Sequence, residues 1–321
     1  MTAGLSALIE RRYSRNFAGL LYHWEVLFVK FLLPIFLLFQ FTISVDVDLV
    51  MFNVTALDND GDTVSGLTAN NFRIFEDGRP QTIKIFRPED TPATIGLVID
   101  NSGSMAKRRA DVVTSAMAFV TASHPDDEIF IVNFNRHPWL ALPESVPFSS
   151  NREQLRNTLL ATTAEGTTAL YDALELSLTH LELGTRQRKA LVLLSDGGDN
   201  ASYDTLDDVL RMAQRSSATI YCIGIYDPQQ NDKNPKVLKQ IAKLTGGEAF
   251  FPERPANLRQ IWPKIAGALR GQYTIGYLST NAARDGAYRN VKITAVDSRG
   301  KSLDVRTRPG YLAPVGPAPS R

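Results

Sequence analysis

The sequence is poor in the residues on which several common protein chemistries depend. Only one of its 321 residues is a cysteine, which excludes an internal disulfide, and the apolar run around it predicts a small buried side chain. The net charge is +1, from 35 basic and 34 acidic side chains, and gives no indication of nucleic-acid binding. The four histidines lie far apart in sequence, without the spacing of metal ligands. The cysteine is Cys222, and the histidines are His23, His124, His137 and His180.

Enzyme signatures are also missing from a composition that is otherwise ordinary. The P-loop pattern G-x-x-x-x-G-K-[ST], the metalloprotease pattern H-E-x-x-H and the nucleophile elbow G-x-S-x-G do not occur. We therefore expect a protein that is not an enzyme. Hydrophobic residues make up 44% and charged residues 21% of the chain, as in folded globular proteins. The length suits one large domain or two ordinary ones.

The first 44 residues differ from the rest of the chain. Arginines within residues 11–15 precede an apolar stretch that is densest at 31–39, which is the order of a secretory signal or signal-anchor. Lys30 interrupts the stretch, and no clear cleavage site follows it, so cleavage and retention both stay open. We expect an exported protein that residues 26–42 could tether to a membrane. The alternative is a buried amphipathic helix, but the charged residues share no single face.

Residues 45–90 follow a β pattern. Apolar and polar residues alternate at 45–49, a period of two that predicts a strand. The runs 72–75 and 83–86 flank an Asp-Gly pair, which predicts that these two strands form a hairpin. The acidic cluster at 58–62 lacks the glycine and glutamate spacing of an EF-hand loop, so we interpret it as a turn.

Residues 91–271 alternate between strand and helix patterns. The strand-like runs are apolar throughout, which is typical of a parallel sheet that is covered on both faces. The segments between them carry apolar residues at helical spacing. The pattern predicts an α/β domain with a doubly wound, mostly parallel sheet. The predicted strands are 95–99, 129–134, 190–194 and 219–225, and the predicted helices are 110–120, 168–183, 237–244 and 258–269.

Residues 272–313 return to a β pattern, and the tail 314–321 is rich in proline and expected to fray. The segments 45–90 and 272–313 are each too small to bury a core alone. We therefore predict that they pair into one accessory antiparallel β-subdomain beside the α/β domain at 91–271.

The most informative motif is D-x-S-x-S at residues 100–104. Asp100 ends a strand-like apolar run, and Ser102 and Ser104 follow at every second position. In an extended loop, residues two apart point the same way, so the three side chains can converge on one ion. Oxygen donors of this kind suit a hard cation such as Mg²⁺, with Mn²⁺ or Ca²⁺ as alternatives. Zn²⁺ is not expected, because it prefers histidine and cysteine.

The motif resembles the metal-ion-dependent adhesion site of von Willebrand factor type A domains. That resemblance implies two further ligand segments, and the chain has both in the right order. The Gly-Thr-Thr-Ala-Leu-Tyr-Asp segment at 166–172 implies Thr168 as a ligand, with Thr167 as the alternative. The Leu-Ser-Asp-Gly-Gly segment at 194–198 implies Asp196 as the acidic ligand.

A wider resemblance covers residues 45–313. The order of segments is similar to that of a bacterial von Willebrand factor A-related family first described in acidobacteria. The shared segments are Val54-Thr55, the Phe-Arg-x-x-Glu-Asp-Gly hairpin at 72–78, the metal motif, Thr245-Gly246-Gly247 and Arg308-Pro309-Gly310-Tyr311. The resemblance implies the fold and the metal site of that family. Because members are mostly exported, it also implies a periplasmic, cell-surface or membrane-anchored location.

The resemblance also implies a function. In such a site the ion keeps one coordination position for a glutamate or aspartate of a partner protein, so the chain would be an exported adhesion or scaffold module. Three alternatives stay open: a cytoplasmic adaptor for an ATPase, a scaffold with a vestigial metal site, and an enzyme. A phosphatase of the haloacid dehalogenase type needs a second aspartate where this chain has Ser102, which argues against that enzyme.

Neighbouring polar residues have plainer interpretations. Asp199 is interpreted as a turn residue, with support of the metal ligands as the alternative. Asn101 is expected to point away from the ion, and Asp172 to belong to a helix. The loops at 135–139 and 227–234 are candidate partner contacts, and Trp139 is as consistent with packing as with contact.

Overall fold

The computed structural model describes residues 49–88, 91–225, 233–253 and 255–316. The segments predicted as signal or anchor (1–44) and as tether (26–42) lie outside the described residues. So do most of the 227–234 loop and of the 314–321 tail. Among the described residues, no helix has the length and apolar character that crossing a membrane requires.

The described chain contains fourteen strands and six α-helices. The strands are β1 Leu49–Leu57, β2 Phe72–Glu76, β3 Arg79–Gln81, β4 Ile83–Arg87, β5 Ala93–Asp100, β6 Glu128–Phe134, β7 Pro138–Leu140, β8 Arg188–Ser195, β9 Thr219–Gly224, β10 Ala249–Phe250, β11 Gln272–Leu278, β12 Tyr288–Val296, β13 Ser302–Arg306 and β14 Gly310–Leu312. The helices are α1 Arg109–Ala122, α2 Arg152–Leu160, α3 Leu170–Leu181, α4 Leu206–Arg215, α5 Pro235–Thr245 and α6 Pro255–Arg270.

Six strands form the sheet of the α/β unit, in the order β10-β9-β8-β5-β6-β7. The five strands from β10 to β6 are parallel, and only β7 joins antiparallel, at the edge. Every residue of β5 is buried, as is expected of a central strand that is covered on both faces. The four predicted strands and the doubly wound arrangement are confirmed.

All four predicted helices are present, as α1, α3, α5 and α6. The helix expected at 110–120 is α1, but a 3-10 segment at Gly103–Arg108 precedes it directly after the D-x-S-x-S loop. The helices α2 and α4 and the edge strand β7 were not predicted. For α4 the sequence carries a usable signal, because the Thr205 side chain accepts a hydrogen bond from the Asp208 amide in a capping box. Its apolar residues Leu206, Val209, Leu210 and Ala213 also recur at helical spacing, so the amphipathic pattern of α4 is present in the sequence.

The terminal β segments pair into one antiparallel sheet of eight strands, with the path β3-β2-β12-β13-β1-β11-β4 and β14 beside β12. The turn of the predicted hairpin is confirmed, but the second strand of the hairpin is not the one that was predicted. The pair Asp77-Gly78 has positive φ angles and joins β2 to β3, so Glu76 pairs with Arg79. The run predicted as the second hairpin strand is β4, which pairs with β11 at the opposite edge. Alternation alone predicted a strand at 83–87 but could not identify its neighbour.

Two smaller predictions can be compared with the structure directly. The acidic cluster at 58–62 is a turn, in which the Asp58 carboxylate accepts hydrogen bonds from the amides of Asp60 and Asp62. Cys222 is fully buried in β9.

The two sheets meet where the Thr-Gly-Gly and Arg-Pro-Gly-Tyr segments touch. Gly246 ends α5 with a φ of +77°, and a Cβ there would lie 2.4 Å from the Arg308 backbone nitrogen. On the adjacent residue, the Thr307 hydroxyl donates to the carbonyl of Asn53 in β1. The glycine is therefore required both by its backbone conformation and by the close approach of another chain segment.

Candidate metal centre

The candidate metal centre lies at the carboxyl ends of β5 and β8. These strands are parallel neighbours, so their last residues, Asp100 and Ser195, lie at the same sheet edge. In doubly wound sheets this edge is where ligands bind. The Ser195 hydroxyl donates a 2.7 Å hydrogen bond to one oxygen of the Asp100 carboxylate. The Ser102 amide donates to the other oxygen at 2.9 Å, which closes the loop after β5.

The serine hydroxyls continue this network to the second aspartate. The hydroxyl oxygens of Ser102 and Ser104 are 2.9 Å apart, and the Ser104 hydroxyl donates to the Asp196 carboxylate at 2.8 Å. The other Asp196 oxygen accepts from the amide of Gly198 at 2.9 Å. Four of the five predicted ligands therefore form one connected network, which we call the hydroxyl–carboxylate cluster: Asp100, Ser102, Ser104 and Asp196.

The cluster opens onto a cavity of about 280 Å³. Ser104, Thr168 and Asp196 line this cavity, whereas Asp100 and Ser102 lie beneath it. Asp100 and Ser102 are almost fully buried, and Ser104 is the exposed member of the cluster. The structure thus brings all five predicted residues to one place, with Thr168 on the cavity wall. Thr167, the alternative to Thr168, is exposed and does not line the cavity.

Backbone contacts hold the loop after β5 against the loop before α3. The Gly103 amide donates to the Gly166 carbonyl at 2.9 Å, and the Glu165 amide donates to the Asn101 carbonyl at 2.8 Å. A Cβ on Gly103 would approach the Gly166 oxygen to 3.3 Å, so a small residue favours this contact. The Asn101 side chain points away from the cavity, as expected, and donates to the side-chain oxygen of Asn133.

Residues of the 196–202 loop fix the position of Thr168. The Asn200 side-chain oxygen accepts from the Thr168 amide at 2.8 Å, and the Asn200 amide donates back to the Thr168 carbonyl. Asp199 accepts from the Leu170 amide at the start of α3, so it caps a helix as well as lining the cavity. No role for Asn200 or Ser195 could be predicted from the sequence. Their partners are 32 and 95 residues away, and no local spacing signals such contacts.

Asp172 belongs to α3, as predicted, and has a further contact. Its carboxylate accepts hydrogen bonds from the amides of Tyr203 and Asp204, both at 2.9 Å. These bonds hold the backbone of Tyr203, while 88% of that residue is exposed. Trp139 lies on the edge strand β7 and is 36% exposed.

The electrostatics of the cluster favour a bound cation. The pKa of Asp100 is raised to about 6, chiefly by burial and in smaller part by the charge of Asp196, although hydrogen bonds from Ser102 and Ser195 act in the opposite direction. Two carboxylates that are buried side by side are costly when both are ionised. A divalent cation would compensate both charges.

The side-chain atoms of the five predicted ligands indicate which cation would fit. All five side chains offer oxygen, and among the described residues no three histidine, cysteine, aspartate or glutamate side chains converge as metal ligands. A metal here therefore depends on the hydroxyls. An octahedral ion with oxygen ligands at 2.0–2.1 Å holds adjacent ligands about 2.9 Å apart. The Ser102–Ser104 and Ser104–Asp196 oxygen separations, 2.9 and 2.8 Å, agree with that spacing.

The fold and the cluster define a three-layer α/β domain with a polar site at the carboxyl ends of its parallel strands. Residues 95–198 match the family model of the von Willebrand factor type A domain. The chain therefore contains a von Willebrand factor type A domain, and that recognition is confirmed.

Solved structures are similar to this chain at low sequence identity. A von Willebrand factor type A protein from Catenulispora acidiphila is 14% identical, with a TM-score of 0.50 over 84% of this chain and 74% of that one. The von Willebrand factor domain of the type V pili tip protein Mfa5 from Porphyromonas gingivalis is 17% identical. Its TM-score is 0.45, over 56% of this chain and 95% of that one.

A curated relative is an uncharacterized protein of Synechocystis sp., which is 24% identical over 183 residues. The match covers 54% of this chain and 42% of the relative, so the chain spans less than half the length of that protein.

Proposed function

We propose that this protein is a metal-dependent protein-binding module of the adhesion or scaffold type. The observation that carries the proposal is the hydroxyl–carboxylate cluster, in which Ser104 is exposed and Ser104 and Asp196 line a cavity. A von Willebrand factor type A domain supports a role in protein interaction. The proposal includes no catalytic step.

The five residues have different roles in the proposed site. The hydroxyls of Ser102, Ser104 and Thr168 would hold Mg²⁺, or Mn²⁺ or Ca²⁺, as neutral ligands. Asp100 would act from beneath and Asp196 from the side, directly or through water. Because only two of the five donors carry charge, the bound ion would stay electrophilic and attract a further anionic ligand.

The proposed partner is a protein that offers an aspartate or glutamate carboxylate at the cavity. Tyr203 would add contact area, because it is highly exposed while its backbone is held by Asp172. Tyrosine side chains often carry much of the energy of a protein interface. We further propose an extracytoplasmic location, from the basic and apolar pattern of residues 1–44.

The first test is Mg²⁺ and Mn²⁺ binding to the full chain by titration calorimetry. Ser104→Ala removes the exposed hydroxyl of the cluster, and Thr168→Ala removes the hydroxyl on the cavity wall. We expect one ion per chain for the parent and at least tenfold weaker binding for each variant. Thr167→Ala is the matched control and should bind as the parent does. Equal binding by the parent and both site variants would contradict the proposal.

The second test concerns the partner. Proteins retained by the immobilised chain are compared in Mg²⁺ and in EDTA, with Ser104→Ala and Tyr203→Ala beside the parent. A partner of the proposed kind is retained only with metal, is lost with Ser104→Ala and is weakened by Tyr203→Ala, although that variant binds Mg²⁺ normally. Retention that is the same in EDTA would argue for a metal-independent scaffold.

A further inference from the structure

A second cleft lies between the two sheets, away from the candidate metal centre. It has a volume of about 370 Å³. Gln187 and Ser217, which precede β8 and β9, line it on the α/β side. The cleft is therefore at the amino ends of the parallel strands, whereas the hydroxyl–carboxylate cluster is at their carboxyl ends. We call it the two-arginine cleft, after Arg87 and Arg308, which both line it.

The charge of the cleft is uncompensated. Among the residues that the structure describes, its lining includes two arginines and no aspartate or glutamate. Neither arginine forms an ion pair with a described carboxylate: Arg87 donates to the side-chain oxygen of Gln187, and Arg308 donates to the Met51 carbonyl at 2.8 Å. The Arg308 guanidinium also stacks 4.7 Å from the centre of the Phe52 ring. These neutral contacts orient both cations without cancelling their charge.

Burial adds to this imbalance. It lowers the pKa of Arg308 below the ordinary value of arginine, because the guanidinium is largely removed from water. An arginine stays charged even so. A cation held in this way gains from an anion that enters the cleft, and guanidinium groups match the geometry of carboxylate and phosphate oxygens.

The remaining lining has two kinds of surface. Leu49, Met51 and Ile85 supply apolar side chains from β1 and β4. The exposed hydroxyl of Ser217 supplies a neutral polar group on the α/β side. A cleft of a few hundred Å³ with an apolar wall and a few polar groups has the character of a small-molecule site.

We propose that the two-arginine cleft binds a small organic anion, a carboxylate or phosphate carried on an apolar chain or ring. The anionic group contacts Arg87 and Arg308, and the apolar part lies against Leu49, Met51 and Ile85. This site is independent of the metal centre, so its ligand binds equally well in EDTA.

The test uses octanoate as the probe and the full chain in EDTA, measured by titration calorimetry. Two variants make the cleft less favourable for an anion and leave the stacked Arg308 unchanged. Arg87→Gln removes one cation, and Ser217→Glu places a carboxylate on the exposed rim of the cleft. Lys84→Gln is the matched control, because Lys84 is an exposed cation on β4 that does not line the cleft.

We expect octanoate to bind the parent and Lys84→Gln alike, and to bind Arg87→Gln and Ser217→Glu about tenfold more weakly. Octan-1-ol, which lacks the charge, and inorganic phosphate, which lacks the apolar chain, should each bind more weakly than octanoate. Circular dichroism of each variant checks that the fold is kept. Absence of octanoate binding by the folded parent, or equal binding by the parent and both cleft variants, would overturn the proposal. If inorganic phosphate bound as tightly as octanoate, the proposed contact between the ligand's apolar part and the cleft would be wrong.

Discussion

The Ser195 hydroxyl donates a 2.7 Å hydrogen bond to the Asp100 carboxylate and thereby joins the ends of β8 and β5. Ser195 also accepts from the Gly197 amide at 3.0 Å, so one side chain orients both the aspartate and the turn that carries Asp196. The two proposed acidic ligands are thus positioned by a residue that would not touch the ion.

We therefore expect Ser195→Ala to weaken Mg²⁺ binding about tenfold, as losses of supporting contacts to metal ligands typically do. The unfolding free energy should fall by about 1–3 kcal/mol, because buried polar groups lose a partner. Titration calorimetry and chemical denaturation measure the two effects. The control is Ser177→Ala, which removes a buried hydroxyl that donates to Ala173 within α3. If Ser195→Ala bound Mg²⁺ no more weakly than Ser177→Ala, the positioning role would be wrong.

The raised pKa of Asp100 predicts how Mg²⁺ affinity depends on pH. The proton and the ion compete for the same carboxylate, and its pKa is about 6 without metal. Affinity should be nearly constant above pH 7 and should fall by up to about tenfold per pH unit below 6. Calorimetric titrations at pH 5, 6, 7 and 8 measure this dependence. A flat profile from pH 5 to 8 would mean that Asp100 does not control the site.

The same shift predicts the stability of the metal-free protein. Asp100 binds its proton more tightly in the folded state, at a pKa of about 6, than at the ordinary value of 3.8 expected when unfolded. Its contribution to stability is therefore present at low pH and is lost as the pH rises from about 4 to 6, by at most about 3 kcal/mol. Asp100→Asn should remove this part of the pH dependence and stabilise the metal-free protein at pH 7. Denaturation curves in EDTA that change equally with pH in the parent and Asp100→Asn would contradict the assignment.

Asn200 is expected to control the position of Thr168. Its side chain accepts the Thr168 amide at 2.8 Å, and removal of that acceptor frees the loop that carries the hydroxyl. Asn200→Ala should weaken Mg²⁺ binding about tenfold although every proposed ligand remains. Asn135→Ala is the control, because its side chain accepts only from His137 and its carbonyl contact to the Ala169 amide is kept. Equal Mg²⁺ affinities for the two variants would show that Thr168 needs no such support.

Gly246 tests the junction between the two sheets. An alanine there would need a positive φ and would place its Cβ 2.4 Å from backbone atoms of Thr307 and Arg308. We expect Gly246→Ala to lower the unfolding free energy by about 2–4 kcal/mol. Gly267→Ala is the matched control, because a Cβ at that position in α6 meets nothing within 4 Å, and it should be neutral or stabilising by up to about 1 kcal/mol. If thermal denaturation showed Gly267→Ala to be less stable than Gly246→Ala, the described junction at Gly246 would be contradicted.

Part of the candidate metal centre could be predicted from local sequence, whereas Thr168 and Asp196 were implied by the family resemblance. The D-x-S-x-S spacing at the end of an apolar strand predicts converging oxygens, and the parallel topology predicts that Asp100 and Asp196 share a sheet edge. The supporting contacts could not be predicted in this way. The contacts of Ser195 and Asn200 depend on how loops from separate parts of the chain fold against each other. Local residue spacing does not predict such contacts.

The β-subdomain shows the same division. The apolar runs at 72–75 and 83–86 located β2 and β4, and the Asp-Gly pair located the turn between β2 and β3. The strand predicted at 45–49 lies almost entirely outside the described residues. The assignment of the 83–86 run to that hairpin was wrong, because a strand that alternates equally well can pair with any partner of suitable register. Here it pairs with β11 from the far end of the chain. The domain boundaries at 91 and 271 stay predictions.

The central claim is that the hydroxyl–carboxylate cluster binds a divalent cation. The most direct measurement is anomalous diffraction from crystals of the protein grown with Mn²⁺. We predict one anomalous peak within about 2.5 Å of the Ser102 and Ser104 hydroxyl oxygens, on the side that faces Thr168. No peak at the cluster, or a peak bound only by other residues, would contradict the account.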